Sequence, residues 1–300
     1  MKSYIKAARL RTLPLSISGI IMGSALAYYD AHFDFLTFVL AILVTISLQI
    51  LSNLANDYGD GVKGTDNANR VGPERAIQSG AISPDEMFRA IRINVLITLV
   101  LVVFLILNAF EIQHFLYAFL FLVLGGISIY AAIKYTVGES AYGYRALGDL
   151  MVFLFFGLLS VIGTYVLYTK QLDYVVVLPA CVIGLLSTGV LNLNNMRDID
   201  NDKVSGKITV AVKLGLQGAK RYHFFLIGTA IVLSLLFGVL YYTSVYSFLF
   251  VIAYVPLFKH LYLVFNVKAS KDLDPQLKVL ALTTFFLTLL MSFGHIYSLV

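Results

Sequence analysis

The sequence predicts an all-α, polytopic membrane protein of nine spanning helices, and three observations carry that class. Hydrophobic residues make up 59% of the 300 and charged residues only 13%, with a mean hydropathy of +0.84. A soluble domain spends about a quarter of its residues on Asp, Glu, Lys and Arg, so half that share leaves most of the surface facing lipid. Apolar stretches of about 20 residues, the length that crosses a bilayer as a helix, recur along the whole chain. Lys and Arg concentrate in alternate connections between them, which is the pattern of cytoplasmic loops.

The first stretch, 13–29, follows Lys2, Lys6, Arg9 and Arg11, which place the N-terminus in the cytoplasm. Its Ala25-Leu26-Ala27 mimics a signal-peptide cleavage site, but a first span explains the same residues. Stretch 35–55 brings the chain back and runs into an Asn/Asp-rich segment. Stretches 91–109 and 114–133 are joined by a short connection, and the second ends on Lys134, one helical turn after Tyr130. Stretches 148–168 and 173–194 flank Lys170, and the latter runs into a second Asn/Asp-rich segment. Stretches 222–241, 245–265 and 278–297 complete the nine. In this orientation Lys170 is the one basic residue of 22 on the outer side. The net charge of +5 is that of basic cytoplasmic loops and gives no sign of nucleic-acid binding. The single Cys181 excludes a disulfide framework or a Cys-based metal site, and the five histidines show no ligand spacing.

Six of the 17 acidic residues sit in the two Asn/Asp-rich segments. The first holds Asn53, Asn56, Asp57, Asp60 and Asp66, and the second holds Asn194, Asn195, Asp198, Asp200 and Asp202. Both follow spans that run inward, so both emerge on the cytoplasmic side. They lie four spans apart and share Asn-x-x-x-Asp, at Asn56–Asp60 and Asn194–Asp198. That recurrence suggests two parallel four-helix units, 13–133 and 148–265, plus a ninth helix within one transmembrane domain, 1–300.

Gln49, Asn53, Asn56 and Asp60 are spaced by four, three and four, along one helical face, and Asn194, Asp198 and Asp202 repeat every four. Two such faces meeting would gather oxygen ligands suited to Mg²⁺, which binds a few carboxylates together with substrate phosphates. Acids at helix ends can also mark the water interface, but amides inside the apolar spans favour a site. Lys63, Arg70 and Arg75 follow the first cluster; Arg197, Lys203 and Lys207 surround the second; Arg145 lies between spans 4 and 5. Acids interleaved with Lys and Arg point to metal-bridged phosphate.

At these residues the sequence resembles the UbiA superfamily of intramembrane aromatic prenyltransferases, over essentially its whole length. The likeness rests on Asn-Asp-x-x-Asp at 56–60, Asp-x-x-x-Asp at 198–202 and Tyr-x-x-x-Lys at 130–134. Asn56-Asp57-Tyr58-Gly59-Asp60, Gly143-Tyr144-Arg145-Ala146-Leu147-Gly148-Asp149 and Asn194-Asn195-Met196-Arg197-Asp198-Ile199 point to the branch that acts on 1,4-dihydroxy-2-naphthoate. Gly64 stands where the superfamily usually has a further Asp, and Asp66 offers a replacement. The resemblance implies a helical bundle with a central cavity in a bacterial-type inner membrane, its active face cytoplasmic. It implies two Mg²⁺ ions bound by Asn56, Asp57, Asp60, Asp66, Asn194, Asp198 and Asp202, with Asp60, Asp198 and Lys134 catalytic. Lys134, Tyr130, Arg75, Arg145 and Arg197 would bind the diphosphate of a polyprenyl diphosphate. The implied product is demethylmenaquinone, formed with loss of CO₂. Two readings stay open: another acceptor, such as 4-hydroxybenzoate or a haem or chlorophyll precursor, and a cation-coupled transporter. A transporter would place its acids near mid-span, whereas these lie at the cytoplasmic ends.

Overall fold

The computed structural model describes residues 2–67 and 71–297, so Arg70 lies outside the described residues. Within them, nine helices are long and apolar enough to cross a membrane. We number them α1 (Lys2–Tyr29), α2 (Phe35–Val62), α3 (Pro84–Ala109), α4 (Ile112–Lys134), α5 (Gly148–Thr169), α6 (Tyr174–Arg197), α7 (Val210–Leu240), α8 (Val245–Asn266) and α9 (Ser270–Ile296). The β-structure among these residues is a single bridge between Arg145 and Ile208.

Several helices extend beyond the expected spans. The second reaches Val62, so the whole run from Gln49 to Asp60 is helical, as its spacing requires. The first starts at Lys2 but breaks at Arg9, which takes a left-handed conformation (φ 49°) and turns the basic segment away from the spanning part. Asn53 fastens that segment: its amide donates to Ala8 O at 2.9 Å and to Thr12 Oγ1 at 3.3 Å. α7 likewise begins early and turns at Gly215, whose φ of 66° strongly favours glycine.

The helices close into a ring, and small or polar residues set the contacts. Ser47 of α2 meets Thr98 of α3 at 2.7 Å. A Cβ on Gly59 would lie 2.7 Å from the Thr136 carbonyl carbon, so the end of α4 packs directly on α2. α5 rests on α1 through Gly19 and Gly23, and on α6 where Gly157 faces Gly184. Such close backbone approach replaces the hydrophobic drive that lipid does not supply. α6 and α7 share the Asn192–Ala219 O bond of 3.0 Å. Farther round, His223 meets His260 at 2.9 Å, and His260 meets Gln276 at 2.9 Å. Ser292 of α9 reaches Met22 of α1 and closes the ring.

The core is unevenly distributed. One large buried cluster joins α1 and α5 to α9 and includes Met22, Val161, Ile183, Leu193, Phe250, Leu257 and Leu287. The α1–α4 side has two smaller clusters, one around Leu51, Leu54 and Met87 and one around Val44, Val102 and Ile106. Between these smaller clusters and the larger one lies the cavity.

Candidate active site

The cavity has a volume of about 1280 Å³ and two chemically distinct ends. Val44, Val102, Ile106, Phe121, Phe155, Phe156 and Leu159 line its apolar body. Phe155, Phe156 and Leu159 come from Phe153–Gly163, a π-helical stretch inside α5; wide turns of this kind are frequent at functional sites. Asn56, Asp60, Asn194, Arg197, Lys207, Asp274 and Lys278 line the polar end, with Arg9, Arg11 and Arg75 nearby on its wall.

Asp60 is buried at that polar end. One oxygen accepts from Tyr144 OH at 2.8 Å and the other from Lys207 Nζ at 3.2 Å. Burial alone would lower the Lys207 pKa, but the Asp60 and Asp202 carboxylates outweigh it and hold the ammonium above its ordinary value. Burial, followed by the Asp60 charge, pushes the Tyr144 phenol up, which keeps it a donor. Lys63 sits 4.1 Å from the Tyr144 ring centre and donates to Thr136 O at 2.7 Å. Burial lowers its pKa, opposed by the nearby Asp60 charge. Asn56 is oriented by Thr136, whose hydroxyl donates to the amide oxygen at 3.3 Å.

Asp57 is used differently. Its two oxygens accept from the backbone N–H of Ala76 (3.1 Å) and Ile77 (3.4 Å), so the carboxylate tethers the loop after α2. Asp66 is buried beside the Arg75 guanidinium, with 3.8 Å between the charged atoms. The backbone N–H groups of Thr65 and Asp66 fold back onto Asp60 O at 2.9 and 3.3 Å.

In the second motif the helix bends at Asp198 and resumes as the short helix Ile199–Val204. The i to i−4 bonds survive the bend, with Asp198 N to Asn194 O at 3.1 Å and Asp202 N to Asp198 O at 2.9 Å. Arg197 grips Asp198 in a bidentate pair at 2.9 and 2.6 Å, Asn194 at 2.9 Å and Asp274 of α9 at 2.7 Å. Asp198 itself borders an adjoining basin of about 600 Å³ together with Asp200, Lys203, Lys268 and Lys271. Arg197 lines both spaces. Asn201 ties the two motif regions together by donating to Thr65 O at 3.0 Å.

Three expected diphosphate contacts lie elsewhere. Tyr130 is 62% exposed on the outer face of α4. Lys134, on the same face, lies over Gly138 rather than in the cavity lining. Arg145 is exposed beside its bridge to Ile208. The inner side of α4 instead presents Ser128, Ala131 and Ala132, followed by Tyr135. Spacing alone does not single out Tyr135, Tyr144 or Asp274. Tyr144 lies inside a motif with many polar groups, and Asp274 is remote from both acidic clusters.

The donor set at the polar end is hard oxygen, as Mg²⁺ requires. Among the described residues, no three His, Cys, Asp or Glu groups already converge as a cage, and Lys207 and Arg197 occupy the acids instead. The ligand chemistry therefore fits a divalent ion, with those two cations as its competitors.

Comparison with known proteins decides the family. The description "UbiA prenyltransferase family" matches residues 16–290. The chain belongs to the UbiA prenyltransferase family. This UbiA-family chain is 46% identical over 253 residues to 1,4-dihydroxy-2-naphthoate octaprenyltransferase of Escherichia coli (strain K12), covering 84% of this chain and 81% of the relative. It is 43% identical over 296 residues to the Haemophilus influenzae protein of the same name, covering 98% and 96%. The apo UbiA homolog from Aeropyrum pernix K1 has the same fold, with TM-score 0.66 and 16% identity, over 97% of this chain and 99% of the other. So does an Archaeoglobus fulgidus UbiA homolog bound to GPP and Mg²⁺, with TM-score 0.60 and 15% identity over 95% and 99%.

Proposed function

We propose that the protein transfers a polyprenyl group from polyprenyl diphosphate to 1,4-dihydroxy-2-naphthoate, giving CO₂, diphosphate and the reduced, quinol form of demethylmenaquinone, whose oxidation to the quinone is a separate step. The observation that carries this reading is one cavity with a carboxylate-and-cation end and a long apolar, aromatic body. The two relatives at 46% and 43% identity, both named for 1,4-dihydroxy-2-naphthoate, favour that acceptor. We place the polar end at the cytoplasmic face of a bacterial inner membrane, because the basic connections adjoin it.

The chain's own groups suit each part of the reaction. The apolar body holds the isoprenoid tail and keeps water from the allylic carbon. The polar end holds the diphosphate, with Lys207 and Arg75 available to it and the positive charge of Arg197 fixed beside them. As the C–O bond breaks, both electrons leave with the diphosphate oxygen, and fixed positive groups at that end lower the barrier. Mg²⁺, when bound by Asn56, Asp60, Asn194, Asp198 and Asp202, would neutralise further charge there. Phe155 and Phe156 line the cavity, and their rings would offer aromatic faces to an allylic cation. The acceptor's ring carbon then bonds to the allylic carbon. Loss of its carboxylate as CO₂ returns an electron pair to the ring and restores aromaticity.

The test is incubation of purified protein with a polyprenyl diphosphate and a panel of aromatic acids, with Mg²⁺ or with EDTA. Prenylated product and CO₂ are expected with 1,4-dihydroxy-2-naphthoate and are lost with EDTA. Product formed only with 4-hydroxybenzoate or another acceptor would overturn the acceptor assignment.

A further inference from the structure

We propose that the Lys207 ammonium is a built-in substitute for a divalent cation, neutralising Asp60 whenever no metal is bound and competing with metal for that carboxylate. The inference rests on the proposed prenyl-transfer site. It adds that metal binds tightly only together with a diphosphate, which takes over Lys207 as its partner.

A lysine that merely reported the cytoplasmic side would be solvated. Lys207 is instead 8% exposed, and its Nζ lies 3.2 Å from an Asp60 oxygen whose residue is 4% exposed. Burying such a pair costs desolvation that the attraction alone rarely returns, so its placement calls for another reason. The backbone delivers it deliberately. Gly206 takes φ 71° to make the turn. Lys207 N donates to Asp202 O at 2.8 Å, and the next residue's carbonyl, Ile208 O, accepts from Ala146 N at 2.8 Å. The ammonium therefore bridges the first motif from a turn pinned to the second. It also sits 5.4 Å from the centre of the Tyr144 ring, whose hydroxyl takes the other Asp60 oxygen.

The second motif follows the same scheme, with Arg197 on Asp198. The two cations differ in how firmly they are held. Arg197 has four hydrogen bonds to three residues. Lys207 Nζ has one, to Asp60, on a flexible four-carbon stem. Lys207 is the cation that can exchange. The cavity it lines is where a diphosphate would offer it new oxygens.

The experiment uses the full chain purified in detergent or nanodiscs, with Mn²⁺ as a probe visible by electron paramagnetic resonance. Binding is titrated with and without inorganic pyrophosphate. The unmodified protein is expected to bind Mn²⁺ at least tenfold more tightly with pyrophosphate than alone. Lys207→Met should strengthen Mn²⁺-alone binding tenfold or more and remove most of the pyrophosphate enhancement, while Lys207→Arg keeps Mn²⁺-alone binding weak. Thermal unfolding reports whether each variant folds, and Lys207→Gln, which removes the charge but keeps a hydrogen bond, serves if the methionine variant does not. Mn²⁺-alone binding that is unchanged or weaker in a folded, charge-free variant overturns the proposal. Stronger Mn²⁺ binding in an enzyme inert toward every donor and acceptor would defeat the prenyl-transfer reading and leave the competition standing.

Discussion

Asp57 and Asp60 stand three residues apart on α2 and have different partners. Asp57 accepts two backbone N–H groups of the loop after α2, so Asp57→Asn should loosen that loop. Losing one acceptor from a buried pair costs about 1–3 kcal/mol, which a lowered unfolding midpoint would show. Asp60 faces the cavity, and Asp60→Asn should cut prenyl transfer by about a hundredfold or more while the protein stays folded. Asp198→Asn should do the same, and near-normal turnover in both would refute the two-motif site. Tyr130→Ala gives the contrast. Its side chain is 62% exposed on the outer face of α4, so turnover and unfolding should stay close to those of the unmodified protein. The pair Asn56–Asp60 was legible because amides and carboxylates are conspicuous in an apolar helix. The Tyr130–Lys134 pairing identified a common face but not which way it points. α4 is apolar almost all round, so its periodicity contains no contrast that would mark Tyr135 as the residue on the cavity side.

At the scale of elements, hydrophobic length made every spanning helix legible, and spacing correctly made the Gln49–Asp60 run helical. The deviations inside helices were not legible, because they depend on what packs outside. The left-handed turn at Arg9 is held by Asn53 on another helix. The π-helical stretch of α5 sits where Gly157 meets α6, and nothing within Phe153–Gly163 marks it locally. That contact is a sharp test of the packing. A Cβ on Gly157 would lie 2.6 Å from both the Ala180 carbonyl oxygen and the Gly184 Cα, neither of which is a side chain that can swing aside. Gly157→Val should therefore separate α5 from α6. Overpacking costs about 1–3 kcal/mol where side chains adjust, and backbone on both sides places this variant at the upper end or beyond. Lower thermal stability together with lower turnover is expected, since the displaced Phe155 and Phe156 line the cavity. Wild-type stability would show that the two helices do not approach so closely.

Over the whole molecule, charge is segregated by end. Asp60, Lys207, Arg197, Asp274 and Lys278 gather at the polar end of the cavity. At the opposite ends of the helices, Asp30 accepts from Tyr165 at 2.6 Å, and Lys170 is the exception to the basic-residue pattern. Its local role accounts for the exception. Lys170 donates to Leu167 O at 2.8 Å and Tyr168 O at 3.0 Å, capping the end of α5 and lying 5.6 Å from the Phe110 ring centre. A lysine used to satisfy helix-end carbonyls is no argument against the orientation expected from the other basic residues. That orientation gives a direct prediction. In a Cys181→Ser background, Leu172→Cys and Val204→Cys add single thiols at residues that are 77% and 85% exposed, in connections expected on opposite sides of the membrane. A membrane-impermeant maleimide should label Leu172→Cys in spheroplasts and Val204→Cys only in inverted vesicles, with prenyl transfer retained in both variants. The reverse pattern would turn the protein over and put its carboxylate-lined end on the outer face. Labelling of both thiols from one side would break the alternation of spans on which the nine-helix topology depends.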